Sequence, residues 1–117
     1  MGSSIKYIVE VTKNHYSEFP NPLKLLKGER LSIGDKKTAF KGWIWCTTES
    51  GNSGWVPENF LKRNKSQGIM NVDYDATELT AIKGERLSVL SEESQWLWCV
   101  DNKNRKGWVP RQNVRKL

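Results

Sequence analysis

Short segments with an alternating hydrophobic and polar pattern recur along the chain. Leu31-Ser32-Ile33 and Leu87-Ser88-Val89 each place apolar side chains two residues apart, which is the period of a strand with one buried face. Trp43–Cys46 and Trp96–Cys99 are aromatic and aliphatic, and turn-forming residues follow each block. No segment shows a sustained helical period. The pattern therefore predicts an all-β protein.

Three sequence blocks occur twice and in the same order. The offset is 56 for the first block and 53 for the other two: residues 23–33 match 79–89, Trp43–Cys46 matches Trp96–Cys99, and Gly54–Pro57 matches Gly107–Pro110. Such repetition predicts two copies of one unit. We place them at residues 5–64 and 68–117, with a short polar linker at Arg63–Gln67. Each copy is expected to form five short strands that close on themselves and leave no long free edge.

Tryptophan is unusually frequent, with 6 Trp against 3 Tyr and 3 Phe. A copy of this size has room for few large aromatic side chains in its core. Strand alternation places Trp43 and Trp45 on the face opposite Ile44 and Cys46. If Ile44 and Cys46 face the core, the tryptophans face outward, and exposed aromatic clusters usually mark a recognition surface. For Trp45 and Trp98, packing between the two copies is an equal alternative.

Cys46 and Cys99 are the only cysteines, and they hold equivalent positions in the two copies. We expect each to be a small apolar core residue with a reduced thiol, and a disulfide or a redox role is the alternative. A metal site needs about four N or S ligands at short spacing, which two distant cysteines and the single His15 do not supply. We therefore predict no metal, no cofactor and no catalytic residue.

The formal net charge of +6 is spread over the chain, without a run of five or more basic residues. Candidate phosphate contacts exist if the chain binds nucleic acid through exposed aromatic side chains: Lys36, Lys37, Lys41, Arg63 and Lys65. Acidic residues interleave with basic ones elsewhere, which makes nucleic acid the less favoured partner. The chain has no apolar run of membrane-spanning length, and its first residues lack the apolar stretch of a secretory signal. A cytoplasmic monomer without membrane attachment is expected.

The repeated blocks resemble the SH3 domain family in a tandem, bacterial-type variant form. In copy two, Asp73–Ala76 resembles the end of the family's ALYDY motif, Leu79–Leu87 its L-S-F-K-K-G-E-R-L segment, and Gly107–Pro110 with Val114 its G-Y-I-P-x-x-Y-V segment. Copy one is similar through Leu23–Ile33, Trp43 and Gly54–Leu61, but has no ALYDY match. The resemblance implies two tandem SH3-like five-stranded barrels, each with a shallow aromatic groove that commonly binds Pro-rich segments in the polyproline II conformation.

Carried over by position, the resemblance also implies the groove residues. They are Trp43, Trp55, Pro57, Asn59 and Phe60 in copy one, and Tyr74, Trp96, Trp108 and Pro110 in copy two. Copy two has Asn113 where the family has a groove tyrosine. In copy one, the loop that corresponds to the family's RT loop offers Tyr16, Glu18 and Phe19. In copy two, the acids Asp73, Asp75 and Glu78 would pair with a basic ligand residue. Structural packing of Phe19 and solvated carboxylates are the alternatives.

These observations predict an intracellular tandem SH3-like adaptor or scaffold that recognises a protein or peptide segment, Pro-rich segments included. Two other classes stay open. One is a small-barrel protein that binds nucleic acid, and the other is an SH3-like module that binds cell-wall peptides.

Overall fold

The computed structural model describes residues 4–37 and 41–117, and within them the chain is all-β apart from two short 3-10 turns. This confirms the predicted fold class. The strands, in chain order, are β1 (Tyr7–Val11), β2 (Lys24–Leu25), β3 (Arg30–Ile33), β4 (Trp43–Thr47), β5 (Ser53–Pro57), β6 (Leu61–Asn64), β7 (Gln67–Met70), β8 (Tyr74–Asp75), β9 (Arg86–Glu93), β10 (Trp96–Val100), β11 (Lys106–Pro110) and β12 (Val114–Lys116). The 3-10 turns are Glu58–Phe60 and Arg111–Asn113.

The chain forms two compact units and passes from one to the other twice. Asn21–Ala76 make up the central unit. The described residues up to Pro20 join with Thr77–Leu117 to make the terminal unit. Each unit therefore combines segments from both sequence copies. The contiguous boundaries 5–64 and 68–117 stay a prediction about the sequence repeat.

The central unit is built on an antiparallel sheet of five strands in the order β5-β4-β3-β7-β6. Its edge strand β6 turns directly into β7, where Asn64 pairs with Gln67 and Lys65 adopts a positive φ of 59° in the turn. The segment Arg63–Gln67, expected from sequence to link two copies, is thus a tight hairpin within one unit. A second, two-stranded sheet pairs β2 with β8 in the same unit.

The terminal unit contains a five-stranded sheet in the order β11-β10-β9-β1-β12. The first strand of the chain, β1, lies between β9 and the last strand, with Val9 opposite Leu87 on one side and Lys116 on the other. An isolated bridge between His15 and Ala81 takes the position that the β2–β8 pair holds in the central unit.

The two sheets share one plan once an exchange of first strands is taken into account. In the terminal unit, β1 pairs with β9, and in the central unit β7 pairs with β3, the strand equivalent to β9. Each unit thus receives its first strand from the copy that supplies most of the other unit. Both sheets, as described, run from one free edge to another, so the closed barrels expected from sequence are not found.

Strand alternation builds a separate core in each unit. Burial alternates along Trp43–Thr47 and Trp96–Val100, with every second side chain turned inward. Ile44 and Cys46 are buried while the flanking tryptophans are half-buried, which confirms the predicted outward face. Cys99 is equally covered in the terminal unit, so both cysteines are core residues as expected. Both thiols are free.

A buried carboxylate holds the turn after β10. Asp101 Oδ1 accepts hydrogen bonds from the backbone N–H groups of Lys103 and Arg105, each at 2.9 Å, and Oδ2 accepts one from Arg105 Nε at 2.8 Å. Burial alone would raise the pKa of Asp101, but these hydrogen bonds and the Arg105 charge outweigh it and lower the pKa. In the matching turn of the central unit, Thr48 Oγ1 accepts a hydrogen bond from the Asn52 backbone N–H at 3.1 Å.

Candidate functional site

The outer face of the β4–β5 hairpin in the central unit carries three indole rings. Trp43 lies opposite Pro57 in the strand register, and Trp45 lies opposite Trp55. The rings of Trp45 and Trp55 meet edge to face, with centroids 5.0 Å apart and planes at 71°, a geometry that aromatic quadrupoles favour. All three indoles are half-buried, so the hairpin presents aromatic surface to solvent.

A second aromatic pair follows this hairpin. Phe60, at the end of the first 3-10 turn, lies 5.6 Å from the ring of Tyr74 at an angle of 68°. Tyr74 is 6% exposed, and its hydroxyl donates a hydrogen bond to the backbone carbonyl of Trp55 at 3.1 Å. The hydrogen bond fixes the Tyr74 ring against β5. We call the set Trp43, Pro57, Asn59, Phe60 and Tyr74 the central groove.

Both sequence copies contribute to the central groove. Its first four residues come from copy one, as expected, but Tyr74 comes from the ALYDY-like segment of copy two. The sequence predicted a groove in which Tyr74 stands with Trp96, Trp108 and Pro110. The structure corrects that grouping, because Tyr74 belongs to the central unit and contacts Phe60. Copy one lacks an ALYDY match of its own and receives the tyrosine with β7 and β8.

Two matching hydrogen bonds, each within one unit, show which residues of the two units are equivalent. In the central unit, the Lys27 N–H donates to Asp73 Oδ1 at 2.8 Å. In the terminal unit, the Lys83 N–H donates to Asn14 Oδ1 at 2.7 Å. Lys27 and Lys83 are equivalent in the repeat, so Asn14 corresponds to Asp73.

His15 therefore takes the place of Tyr74 in the terminal unit. Its Nε2 lies 2.9 Å from Glu78 Oε1, and its ring meets Trp96 edge-on with centroids 5.5 Å apart. The side chains of His15 and Glu78 are only 11% and 12% exposed. A polar, hydrogen-bonded pair thus replaces the phenol ring of the central groove.

Asn113 takes the place of Phe60. It ends the second 3-10 turn, is 5% exposed, and donates from Nδ2 to the carbonyls of Lys13 at 3.3 Å and Asn14 at 3.1 Å. Its amide holds the segment after β1 in place. Because asparagine has no ring, this position lacks the aromatic wall that Phe60 supplies in the central groove. We call the set His15, Trp96, Pro110 and Asn113 the terminal groove, in which Trp96 lies opposite Pro110.

Trp98 and Trp108 repeat the Trp45–Trp55 pair, with centroids 5.2 Å apart and planes at 59°. Trp108 is only 6% exposed, whereas Trp55 is half-buried. Burial leaves Trp108 little surface for a ligand, although the sequence placed it in a groove. The equivalent tryptophan of the central unit keeps such surface. Burial also leaves little ligand surface on Tyr74 and Pro57 of the central groove, so the aromatic surface for a ligand there belongs to Trp43 and Phe60.

The loop residues predicted for copy one lie in the terminal unit. Tyr16 is 58% exposed, and its hydroxyl accepts a hydrogen bond from Asn14 Nδ2 at 3.1 Å. Glu18 is exposed and Phe19 is half-buried. The structure therefore groups these three residues with Trp96, not with the Trp43 of their own copy.

The predicted acidic residues of copy two are divided between the units. Asp73 and Asp75 are exposed in the central unit, and the carboxylate of Asp73 already caps the turn at Lys27. Glu78 is in the terminal unit and is engaged by His15. Structural contacts thus engage Asp73 and Glu78.

Comparison with protein families matches the variant SH3 domain twice, at residues 8–63 and 71–117. The chain belongs to the variant SH3 domain family. Among curated proteins it is similar to the SH2/SH3 adapter protein dreadlocks of Drosophila melanogaster, with 28% identity over 130 residues. That alignment covers 92% of this chain and 23% of the adapter, so the chain spans about a quarter of the adapter's length. The family consists of interaction modules, and this chain is a protein-interaction module of that kind.

The family match confirms the SH3 resemblance drawn from the repeat, but one residue of the terminal groove was not predicted from sequence. The segment Asn14-His15-Tyr16 has neither the two acidic residues nor the central tyrosine of Asp73-Tyr74-Asp75, so the motif does not identify His15. A signal exists in the alignment of Asn14-His15-Tyr16 with Asp73-Tyr74-Asp75 at an offset of 59. That alignment becomes clear only when the two turn contacts are seen.

The part of the chain that the structure describes has no group of three or more His, Cys, Asp and Glu side chains arranged to hold a metal ion. Among the same residues, no helix has the length and apolar character needed to cross a membrane. Burial raises the pKa of Cys46 to about 11 and that of Cys99 to about 12. Both groups are therefore neutral thiols at pH 7, and a neutral thiol is a poor nucleophile.

Proposed function

We propose that this chain is an intracellular, monomeric adaptor module that binds an extended, proline-containing peptide in the central groove. The aromatic arrangement of that groove carries the proposal: Phe60 and Tyr74 lie 5.6 Å apart, and Trp43 lies opposite Pro57. A peptide in the polyproline II conformation presents apolar ridges that would pack on the exposed parts of the half-buried Trp43 and Phe60 rings, and it loses little conformational entropy on binding.

The side chains of the terminal groove differ from those of the central groove, and this difference favours the central groove as the peptide site. It keeps Trp96 and Pro110, but His15 and Asn113 replace the two aromatic rings of Tyr74 and Phe60. The Asn113 amide is committed to two backbone carbonyls, so turning it toward a ligand would leave them without a donor. We expect this groove to bind the same peptide weakly or not at all.

Peptide titrations of matched variants test the proposal. Trp43→Ala and Phe60→Asn should each weaken binding of a Pro-rich peptide by at least about tenfold, because central aromatic residues dominate such interfaces. Trp96→Ala is the matched control and should change affinity by less than about twofold. The double change His15→Tyr with Asn113→Phe should add a second binding event.

Two results would contradict the proposal. In one, Trp96→Ala abolishes binding while Trp43→Ala leaves it intact, which would move the site to the terminal unit. In the other, the chain prefers single-stranded oligonucleotides with a steep dependence on salt, or prefers muropeptides, which would change the class of partner.

A further inference from the structure

A lysine ammonium lies against the aromatic surface of the central unit. Lys36, in the loop between β3 and β4, places its Nζ 4.0 Å from the centroid of the Trp45 ring and 5.9 Å from that of Trp55. Both distances are within the range of a cation–π interaction. The two indoles thus hold the charge at a defined position.

That position is next to the central groove. Trp43 and Trp45 are two residues apart on β4 and share one face, which separates their Cα atoms by about 6–7 Å. A peptide that covers Trp43 and continues along the strand direction would therefore pass beside the Lys36 ammonium. The Trp55 ring also lies within cation–π distance of Lys36, and its backbone carbonyl accepts the hydrogen bond from the Tyr74 hydroxyl.

The loop that carries Lys36 is basic. Lys37 and Lys41 belong to the same loop, with Asp35 as the acidic neighbour. With three lysines and one carboxylate, this loop carries a net positive charge that attracts anions.

The corresponding turn in the terminal unit has the opposite charge. Glu93 pairs directly across from Trp96, and Glu92 accepts a hydrogen bond from Arg111 Nη1 at 3.1 Å. The segments that precede Trp43 and Trp96 therefore carry charge of opposite sign, and the aromatic walls of the two grooves differ as well.

We propose that the central groove selects a protein segment with an Asp or Glu beside its proline-containing core, and that Lys36 is the residue that recognises the carboxylate. This inference rests on the proposed function of the groove. A carboxylate at this point would form a charge-assisted hydrogen bond with an ammonium that the Trp45 ring already orders. Less side-chain entropy is lost on binding because Lys36 is held in place beforehand.

The test uses the ¹⁵N-labelled full chain and three synthetic peptides. The peptides share one proline-containing core and carry Ala, Glu or Lys at the flanking position, with versions for either end of the core. The indole N–H resonances of Trp43 and Trp45 report binding to the central unit. The Glu peptide should bind about two- to fivefold tighter than the Ala peptide and the Lys peptide correspondingly weaker, as expected for one partly solvated ion pair.

Charge variants identify the residue responsible. Lys36→Ala should remove the difference between the three peptides, and Lys36→Glu should reverse their order. Lys62→Glu is the matched control, because Lys62 is exposed on β6 at the far edge of the same sheet. It should keep the original order. The ¹⁵N spectrum of each variant shows whether the fold is retained. If Lys36→Glu disturbs the fold, the result for Lys36→Ala decides the test.

The outcomes separate this inference from the proposed function. If all three peptides bind equally and Trp43→Ala still abolishes binding, the charge preference is wrong while the peptide groove stands. If no peptide shifts the two indole resonances, the proposed function is itself wrong. Displacement of the Glu peptide by a tighter-binding oligonucleotide at the same resonances would also overturn the inference.

Discussion

Gly107 is the position where a single methyl group should damage the fold most selectively. It lies on β11 opposite Cys99. A Cβ at this residue would lie 2.6 Å from the backbone N of Leu79 and 2.8 Å from the backbone carbonyl carbon of Glu78. Backbone atoms cannot rotate away as a side chain can, so the two segments would have to separate.

The separation would break identifiable hydrogen bonds. Leu79 N–H donates to the Trp108 carbonyl at 3.0 Å, and Trp108 N–H donates to the Thr77 carbonyl at 2.9 Å. Overpacking costs about 1–3 kcal/mol, and each lost backbone hydrogen bond adds about 1 kcal/mol. Gly107→Ala should therefore lower the free energy of unfolding of the terminal unit by about 2–5 kcal/mol.

The equivalent glycine of the central unit is the matched control. A Cβ at Gly54 would meet the Leu23 side chain, with Cδ1 at 2.9 Å and Cγ at 3.0 Å. Leu23 is buried but can change rotamer, so Gly54→Ala should cost only about 1–2 kcal/mol. Urea titrations of the ¹⁵N-labelled full chain, followed through resonances of each unit, measure both values. Equal losses for the two variants, or a larger loss for Gly54→Ala, would refute this reasoning.

Three further predictions concern stability and reactivity. Because the folded pKa of Asp101 is lowered, its carboxylate stabilises the fold above the unfolded pKa of about 4, and that stability is lost as pH falls through the folded pKa. Asp101→Asn should thus be about 1–2 kcal/mol less stable at pH 7 in urea titrations, with the gap closing towards pH 2; a gap independent of pH would contradict this. A fragment of residues 21–76 contains every strand of the central unit and should fold alone, with higher stability by circular dichroism than a fragment of residues 5–64. Both cysteines should resist a thiol reagent at pH 8 until urea unfolds the chain, since burial raises both pKa values; rapid labelling of the folded protein would be inconsistent with their core positions.

Local patterns were sufficient to predict the strands, the repeat and the direction of the tryptophans. Alternation depends only on neighbouring residues, and Trp43–Cys46 shows the same alternation in the structure as in the sequence. The cysteines follow from the same rule, because each comes directly after an outward tryptophan on its strand and so faces the core. Family resemblance added the groove residues of copy one, of which Phe60 and Trp55 contact Tyr74 in the structure.

The exchange of first strands could not be predicted in this way. β1 and β7 are both short strands with inward residues at every second position, so either would satisfy the local pattern in either sheet. Which sheet a strand joins depends on contacts between residues far apart in sequence. The hairpin at Arg63–Gln67 has the polar composition of a linker, and composition alone does not distinguish a turn from a linker.

Packing at one pair of equivalent positions favours the observed placement of the first strands. In the central unit, Gly68 of β7 lies opposite Leu31, and a Cβ there would be 3.1 Å from Leu61 Cδ1. In the terminal unit, Val9 of β1 lies opposite the equivalent leucine and is 1% exposed.

A valine in the place of Gly68 would force the Leu61 side chain to shift, and a glycine in the place of Val9 would leave a cavity, which costs stability in proportion to its volume. The exchanged arrangement avoids both penalties. It also decides the chemistry of the two grooves, because Tyr74 follows β7 into the central unit and His15 follows β1 into the terminal unit. The difference between an aromatic groove and a polar one is therefore a consequence of the exchange of first strands.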